Sequence, residues 1–142
     1  MIKNYKQFNE HIDIDPYGEE DWDENKPFYK WLEINYRYRN MWNKIEIIDC
    51  SGNQLNNLEG IENLTKLNYL NCSNNQLTSL EGIENLINLK ELWCCYNQLT
   101  SLEGIENLKN LKELKCWNNN FSDDYKEYLR KYCKEKKIIS LL

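Results

Sequence analysis

The sequence predicts an α/β solenoid: a short stack of parallel strands and tight turns, capped at both ends. Three observations predict it. First, a 22-residue unit recurs without insertion at residues 45–66 (IEIIDCSGNQLNNLEGIENLTK), 67–88 (LNYLNCSNNQLTSLEGIENLIN) and 89–110 (LKELWCCYNQLTSLEGIENLKN), and 111–121 (LKELKCWNNNF) begin a fourth copy. Second, each copy opens on an alternating stretch, as in Leu70-Asn71-Cys72, which reads as a strand. Third, Leu77, Leu80, Ile83 and Leu86 then recur every third position, a step that suits 3₁₀ turns better than an α-helix. One copy cannot bury its apolar side alone, but stacked copies bury each other's. The 142 residues include 22 Asn but no Ala and no Val. That composition disfavours Ala-rich helix bundles and doubly wound sheets, whose central strands are Val-rich. It also points to an AT-rich genome, such as that of a virus, a phage or a low-GC bacterium.

Residues 1–44 are expected to form an N-terminal cap region. Ile2, Tyr5, Phe8 and Ile12 have the spacing of a short amphipathic helix. A second helix is expected over FYKWLEIN, with Pro27 near its first position. Its Trp31 and Ile34, with Trp42, are assigned to cover the open core of the first repeat. Between the helices lies HIDIDPYGEEDWDEN, rich in carboxylates and lacking Lys and Arg. Asp13, Asp15, Gly18, Asp21 and Glu24 fall at places one, three, six, nine and twelve of an EF-hand calcium loop. Against calcium, Tyr17 stands where an oxygen ligand is usual, Glu20 where an apolar residue is usual, and Pro16 fits poorly. The segment therefore reads first as an acidic surface loop, with Asp13, Asp15, Asp21 and Glu24 as weak calcium candidates.

Residues 45–121 form the repeats, about 3.5 copies. Stacking predicts two internal columns. Asn53, Asn75, Asn97 and Asn119 share one slot, where a buried amide satisfies backbone groups left unpaired at the bend after each strand. Cys50, Cys72, Cys94 and Cys116 share another. A straight column does not converge on a tetrahedral metal, so these read as small buried hydrophobes. No metal and no cofactor are expected.

The pattern L-x-x-L-x-L-x-x-N-x-L is met with Cys in its third apolar place, by Leu67, Leu70, Cys72, Asn75 and Leu77 and again by Leu89, Leu92, Cys94, Asn97 and Leu99. Together with the 22-residue length, it resembles the leucine-rich repeat family, and within it the internalin-like and bacterial-type subclasses. The resemblance implies a curved solenoid with strands on the concave face and, for most members, protein binding there.

Residues 122–142 read as a helix–strand cap. Ser122 is a natural N-cap, and Asp123 and Asp124 suit a helix start. Tyr125, Tyr128, Leu129, Tyr132 and Cys133 fall on one face. Lys134, Lys136 and Lys137 suit the helix end, and Ile138–Leu142 can add a last strand.

Function is sought on the outward strand positions, which vary between copies while the core slots repeat. They run Ile47, Asp49 and Ser51; Tyr69, Asn71, Ser73 and Asn74; Glu91, Trp93, Cys95 and Tyr96; Glu113, Lys115, Trp117 and Asn118. Tyr69, Trp93, Tyr96 and Trp117 make an aromatic patch of the kind enriched at binding hot spots, with Glu91, Glu113 and Lys115 as a charged rim. Asn71 and Asn118 are among the few asparagines left free for binding. The expected activity is non-enzymatic capture of a protein partner, by a monomer or a weakly self-associating chain.

Other classes fare less well. The net charge of −5 disfavours direct nucleic-acid binding, and no apolar run is long enough to span a membrane. Catalysis has one histidine, His11, and no phosphate-cradling glycine loop. Glu59, Glu81 and Glu103 form one convex column and Glu62, Glu84 and Glu106 another, which leaves open an acidic decoy that blocks a host factor for a virus, phage or bacterium. The first residues, MIKNYKQFNEHID, lack the apolar core of a secretory signal, so six reduced thiols in the cytoplasm (or a host's) are expected.

Overall fold

The structure, a computed structural model, describes residues 28–36 and 39–142. The proposed Ile2–Ile12 helix and the Asp13–Glu24 calcium candidates lie outside the described residues. Helix α1 (Phe28–Asn35) and a 3₁₀ segment (Arg39–Lys44) lead into strand β1 (Ile47–Asp49). Strands β2 (Tyr69–Asn71), β3 (Glu91–Trp93) and β4 (Glu113–Lys115) follow at the repeat interval. Helix α2 (Asp123–Lys136) and strand β5 (Ile139–Leu141) complete the chain.

The five strands form one open parallel sheet in the order β1-β2-β3-β4-β5. Register is one repeat per strand: Ile48 faces Leu70, Leu70 faces Leu92, Leu92 faces Leu114, and Leu114 faces Ser140. The central residue of β1 to β4 points into the core, and its two neighbours point out onto the concave side. Pairing continues one residue past each strand, where Cys72 N–H donates to Trp93 O and Cys94 N–H to Lys115 O, both at 2.8 Å.

Convex turns are short 3₁₀ segments at Ile61–Asn63, Ile83–Asn85 and Ile105–Asn107. The three-residue apolar step matches this geometry, which brings every third side chain to the same side. Each segment is preceded by a glycine with a left-handed backbone, φ 100° at Gly60, 97° at Gly82 and 91° at Gly104.

The asparagine ladder stitches one repeat to the previous one. Asn97 Oδ1 accepts from Leu77 N–H at 3.0 Å, and its Nδ2 donates to Cys72 O, Cys94 O and Cys95 O. Asn75 does the same one repeat earlier: its Oδ1 accepts from Asn53 N–H and Leu55 N–H, and its Nδ2 donates to Cys50 O and Cys72 O. Asn53 departs from the expected role. It is half-exposed, and its amide donates only to Ser51 O among the described residues.

The four ladder cysteines are buried and unpaired, together with Cys95 and Cys133. Burial pushes the Cys72 thiol up to about 12 and raises that of Cys50 as well, so these two stay neutral thiols. Cys50 and Cys72 each donate a long S–H bond, 3.5 Å, to the carbonyl of Asn71 and Trp93 respectively.

Both ends are covered. Phe28, Trp31, Leu32 and Trp42 join the same apolar cluster as the repeat leucines, and Trp42 Nε1–H donates to Tyr36 O. Ile34 does not share this role: it is 52% exposed, because Trp31 and Leu32 already occupy the buried face of α1. At the other end Ser122 Oγ accepts from Tyr125 N–H, and Leu129 and Cys133 are buried. Three tyrosines of α2 reach the last complete repeat: Tyr125 Oη accepts from Leu102 N–H, while Tyr128 and Tyr132 donate to Glu106 Oε1 and Ile105 O. Among the described residues no helix is long and apolar enough to cross a membrane.

Candidate protein-binding face

The sheet register places six of the eight candidate residues in two columns. Tyr69, Glu91 and Glu113 stand in one, and Asn71, Trp93 and Lys115 in the other. Adjacent strands lie about 4.8 Å apart, so neighbours within a column touch. Trp117 and Tyr96 lie just past the strands, on the bend that leads away from the sheet.

Two aromatic pairs organise the face. Tyr69 and Trp93 meet edge-on, with ring centroids 5.3 Å apart and planes at 68°. Tyr96 and Trp117 meet edge-on at 6.5 Å and 78°. Such pairs add about 1 kcal/mol beyond burial. Lys115 Nζ lies 3.5 Å from the Trp93 ring centroid and 2.8 Å from Glu113 Oε1. A single ammonium thus joins an aromatic face to a carboxylate, a combination that the residue types alone did not reveal. The Trp93 indole N–H is buried and has no acceptor among the described residues. An orphaned buried donor costs about 1–3 kcal/mol.

The backbone at Tyr96 is unusual. The positions one repeat apart, Gly52, Asn74, Tyr96 and Asn118, all adopt positive φ, between 54° and 70°. Gly and Asn tolerate this conformation; a bulky aromatic there costs about 1 kcal/mol. Tyr96 nonetheless occupies it and is 51% exposed. Tyr96→Asn should therefore leave the urea midpoint nearly unchanged, because relief of the left-handed backbone offsets the lost edge contact with Trp117. A destabilisation above about 2 kcal/mol would show that Tyr96 is a structural residue after all.

Three expectations for this face need correction. Cys95 is 4% exposed and Ser73 is 9% exposed, so neither points outward. Strict alternation fails there because the chain leaves the sheet after each strand, and Ser73 Oγ turns inward to accept from Cys95 N–H. Asn71 is not free either: its Oδ1 accepts from Ser73 N–H, as Asp49 Oδ1 accepts from Ser51 N–H. The sequence reading also omitted Ile139 and Leu141. They extend the two columns beyond Glu113 and Lys115 and are well exposed. The alternation Ile139-Ser140-Leu141 was the available signal.

Among the described residues no three His, Cys, Asp or Glu side chains cluster in a way that could hold a metal ion. The convex glutamates differ from one another. Glu62 and Glu84 fold back, each Oε2 accepting from the backbone N–H of Gly60 and Gly82, at 3.0 and 2.9 Å. Glu106 instead takes the Tyr128 hydroxyl.

Comparison with known proteins agrees with this architecture. The family described as Leucine Rich repeats (2 copies) matches residues 43–85 and 87–129. A leucine-rich repeat protein of Leptospira interrogans is similar in structure, with a TM-score of 0.63 and 36% identity over 69% of this chain. An internalin of Listeria monocytogenes is similar with a TM-score of 0.57 and 34% identity over 59% of this chain. In each case the match spans 25% of the other chain. Curated proteins give no match. Proteins built of such repeats generally mediate protein–protein interaction and are typically non-enzymatic. The stacked strands, the asparagine ladder and the matched repeats together place this chain in the leucine-rich repeat family.

Proposed function

We propose that the chain is a non-enzymatic interaction module that binds a partner protein on its concave aromatic face. The observation that carries this reading is Tyr96: an exposed aromatic kept in a left-handed backbone where the other copies hold Gly or Asn. Strain of this kind concentrates at functional positions. The orphaned Trp93 indole N–H, in the neighbouring aromatic pair with Tyr69, is further support. Rigid aromatics would anchor the partner, while Glu91, Glu113 and Lys115 set its orientation. The buried, unpaired thiols support work in a reducing compartment such as the cytoplasm.

Acidic mimicry of nucleic acid is the weaker reading, because Glu62 and Glu84 each commit one carboxylate oxygen to their own backbone. The two readings separate in one experiment. Replacing Trp93, Tyr96 and Trp117 together with Ala should abolish affinity capture of the partner from the native source and leave the far-UV CD spectrum unchanged. Replacing Glu59, Glu81 and Glu103 with Gln should leave capture intact. Undiminished capture by a folded aromatic variant would overturn the concave site.

A further inference from the structure

We infer that this chain associates head to tail with a second copy of itself. The basic C-terminal half of α2 in one molecule rests on the convex column Glu59, Glu81 and Glu103 of the next. Neither surface includes the concave aromatics, so this contact is separate from the partner site proposed above.

Charge is segregated along the chain. Residues 45–110 carry three basic and nine acidic side chains, net −6, whereas residues 111–142 carry eight basic and five acidic, net +3. The convex segments 57–63, 79–85 and 101–107 each hold two glutamates and no Lys or Arg. The second glutamate of each is already engaged, Glu62 and Glu84 by glycine N–H groups and Glu106 by the Tyr128 hydroxyl. The first is not. Glu59, Glu81 and Glu103 are exposed, and among the described residues their carboxylates have no ion pair and no hydrogen bond.

The opposite charge is gathered in α2. Arg130, Lys131, Lys134, Lys136 and Lys137 are all exposed, and Glu135 is the one acidic residue among these eight positions. Arg130 has a loose contact with Glu127, 3.6 Å, on the open surface. The four lysines have no carboxylate partner among the described residues. The two rows also run at similar pitch. Repeats step by about 5 Å at the sheet, and a helix rises about 6 Å between positions such as Arg130 and Lys134.

The chain thus carries both halves of a complementary pair on separate surfaces. Within one molecule they do not meet: among the described residues no Lys or Arg of α2 pairs with any of the three glutamates. Two glutamate columns repel each other, as do two basic helix ends, so a two-fold contact through either is disfavoured. The contact that satisfies both is heterologous, each copy offering its helix to one neighbour and its column to another. Exposed charges steer such an encounter and make it sensitive to salt.

Sedimentation equilibrium of the reduced full chain tests this. At about 0.01 M salt, where charges act over about 30 Å, the mean mass is expected to rise with concentration. At about 1 M salt the association constant is expected to fall about tenfold or more. Two charge-reversed chains then identify the surfaces: one with Lys131→Glu, Lys134→Glu and Lys136→Glu, the other with Glu59→Lys, Glu81→Lys and Glu103→Lys. Each alone is expected to associate at least tenfold more weakly at low salt, and an equimolar mixture of the two to recover, because each supplies what the other lacks. Should either lose its far-UV CD spectrum, the same positions are changed to Gln, with a loss of about threefold expected from each set. A chain that stays monomeric at low salt overturns the inference and leaves the basic helix to an acidic partner. Association that ignores salt, reversed chains that do not recover on mixing, or Gln sets without effect overturn it equally.

Discussion

Asn97→Ala is expected to destabilise the protein by about 4 kcal/mol, whereas Asn53→Ala, at the same place in the first repeat, should cost about 1 kcal/mol or less. Asn97 is buried, and its amide serves four backbone groups: it accepts from Leu77 N–H and donates to the carbonyls of Cys72, Cys94 and Cys95. Alanine orphans Leu77 N–H beside an apolar core, at about 1–3 kcal/mol, and takes one donor from each carbonyl, at about 0.5–1 kcal/mol apiece, although Cys72 O keeps Asn75 Nδ2, Cys94 O keeps Asn119 Nδ2 and Cys95 O keeps Asn74 N–H. A domain this small has only about 5–15 kcal/mol to lose. Asn53 has a half-exposed side chain whose amide reaches Ser51 O, and solvent can replace that bond. Urea denaturation followed by far-UV CD measures both. Equal losses at the two positions would mean that the repeat slot alone sets the asparagine's contribution. A large difference means that the neighbour on the N-terminal side does.

That contrast shows what the sequence could and could not convey. The repeat period, the strands and the Ser122 cap were legible because each depends on residues close together in the chain. So was the column of asparagines, since four copies aligned by themselves. What a column member does depends on the repeat packed against it, and Asn53 has no complete earlier repeat. The inward turn of Ser73 and Cys95 was hidden for a related reason: alternation holds within a strand and ends where the backbone bends. Ile34 was assigned to the core by helical spacing, but Trp31 and Leu32 fill that face. The aromatic patch was legible as residue types. Its internal wiring was not, since nothing in the chain order says that Lys115 lies on Trp93 or that Tyr96 keeps a left-handed backbone.

The second large effect expected is at Gly82, where alanine should cost about 3 kcal/mol. Two terms add. The backbone there has φ 97°, well beyond the left-handed region that Asn and Asp visit, and a side chain in such a conformation costs about 1–2 kcal/mol. The added Cβ would also stand 2.8 Å from Ile61 Cγ2. Ile61 is fully buried and β-branched, so it cannot swing aside, and overpacking of this kind costs about 1–3 kcal/mol. The clash is between repeats, because Gly82 opens the convex turn of one copy and Ile61 belongs to the copy before it. Alanine at Gly82 would therefore wedge the turns apart on the convex side, while the asparagine ladder still holds the strands at their ordinary spacing. Gly52 is the control. It too has positive φ, but nothing lies within 4 Å of its Cβ position, and the equivalent places hold Asn74 and Asn118. Gly52→Asn should shift stability by less than about 1 kcal/mol. If Gly82→Ala proves as mild as Gly52→Asn in the same urea titration, the repeats do not meet as closely on the convex side as the structure places them.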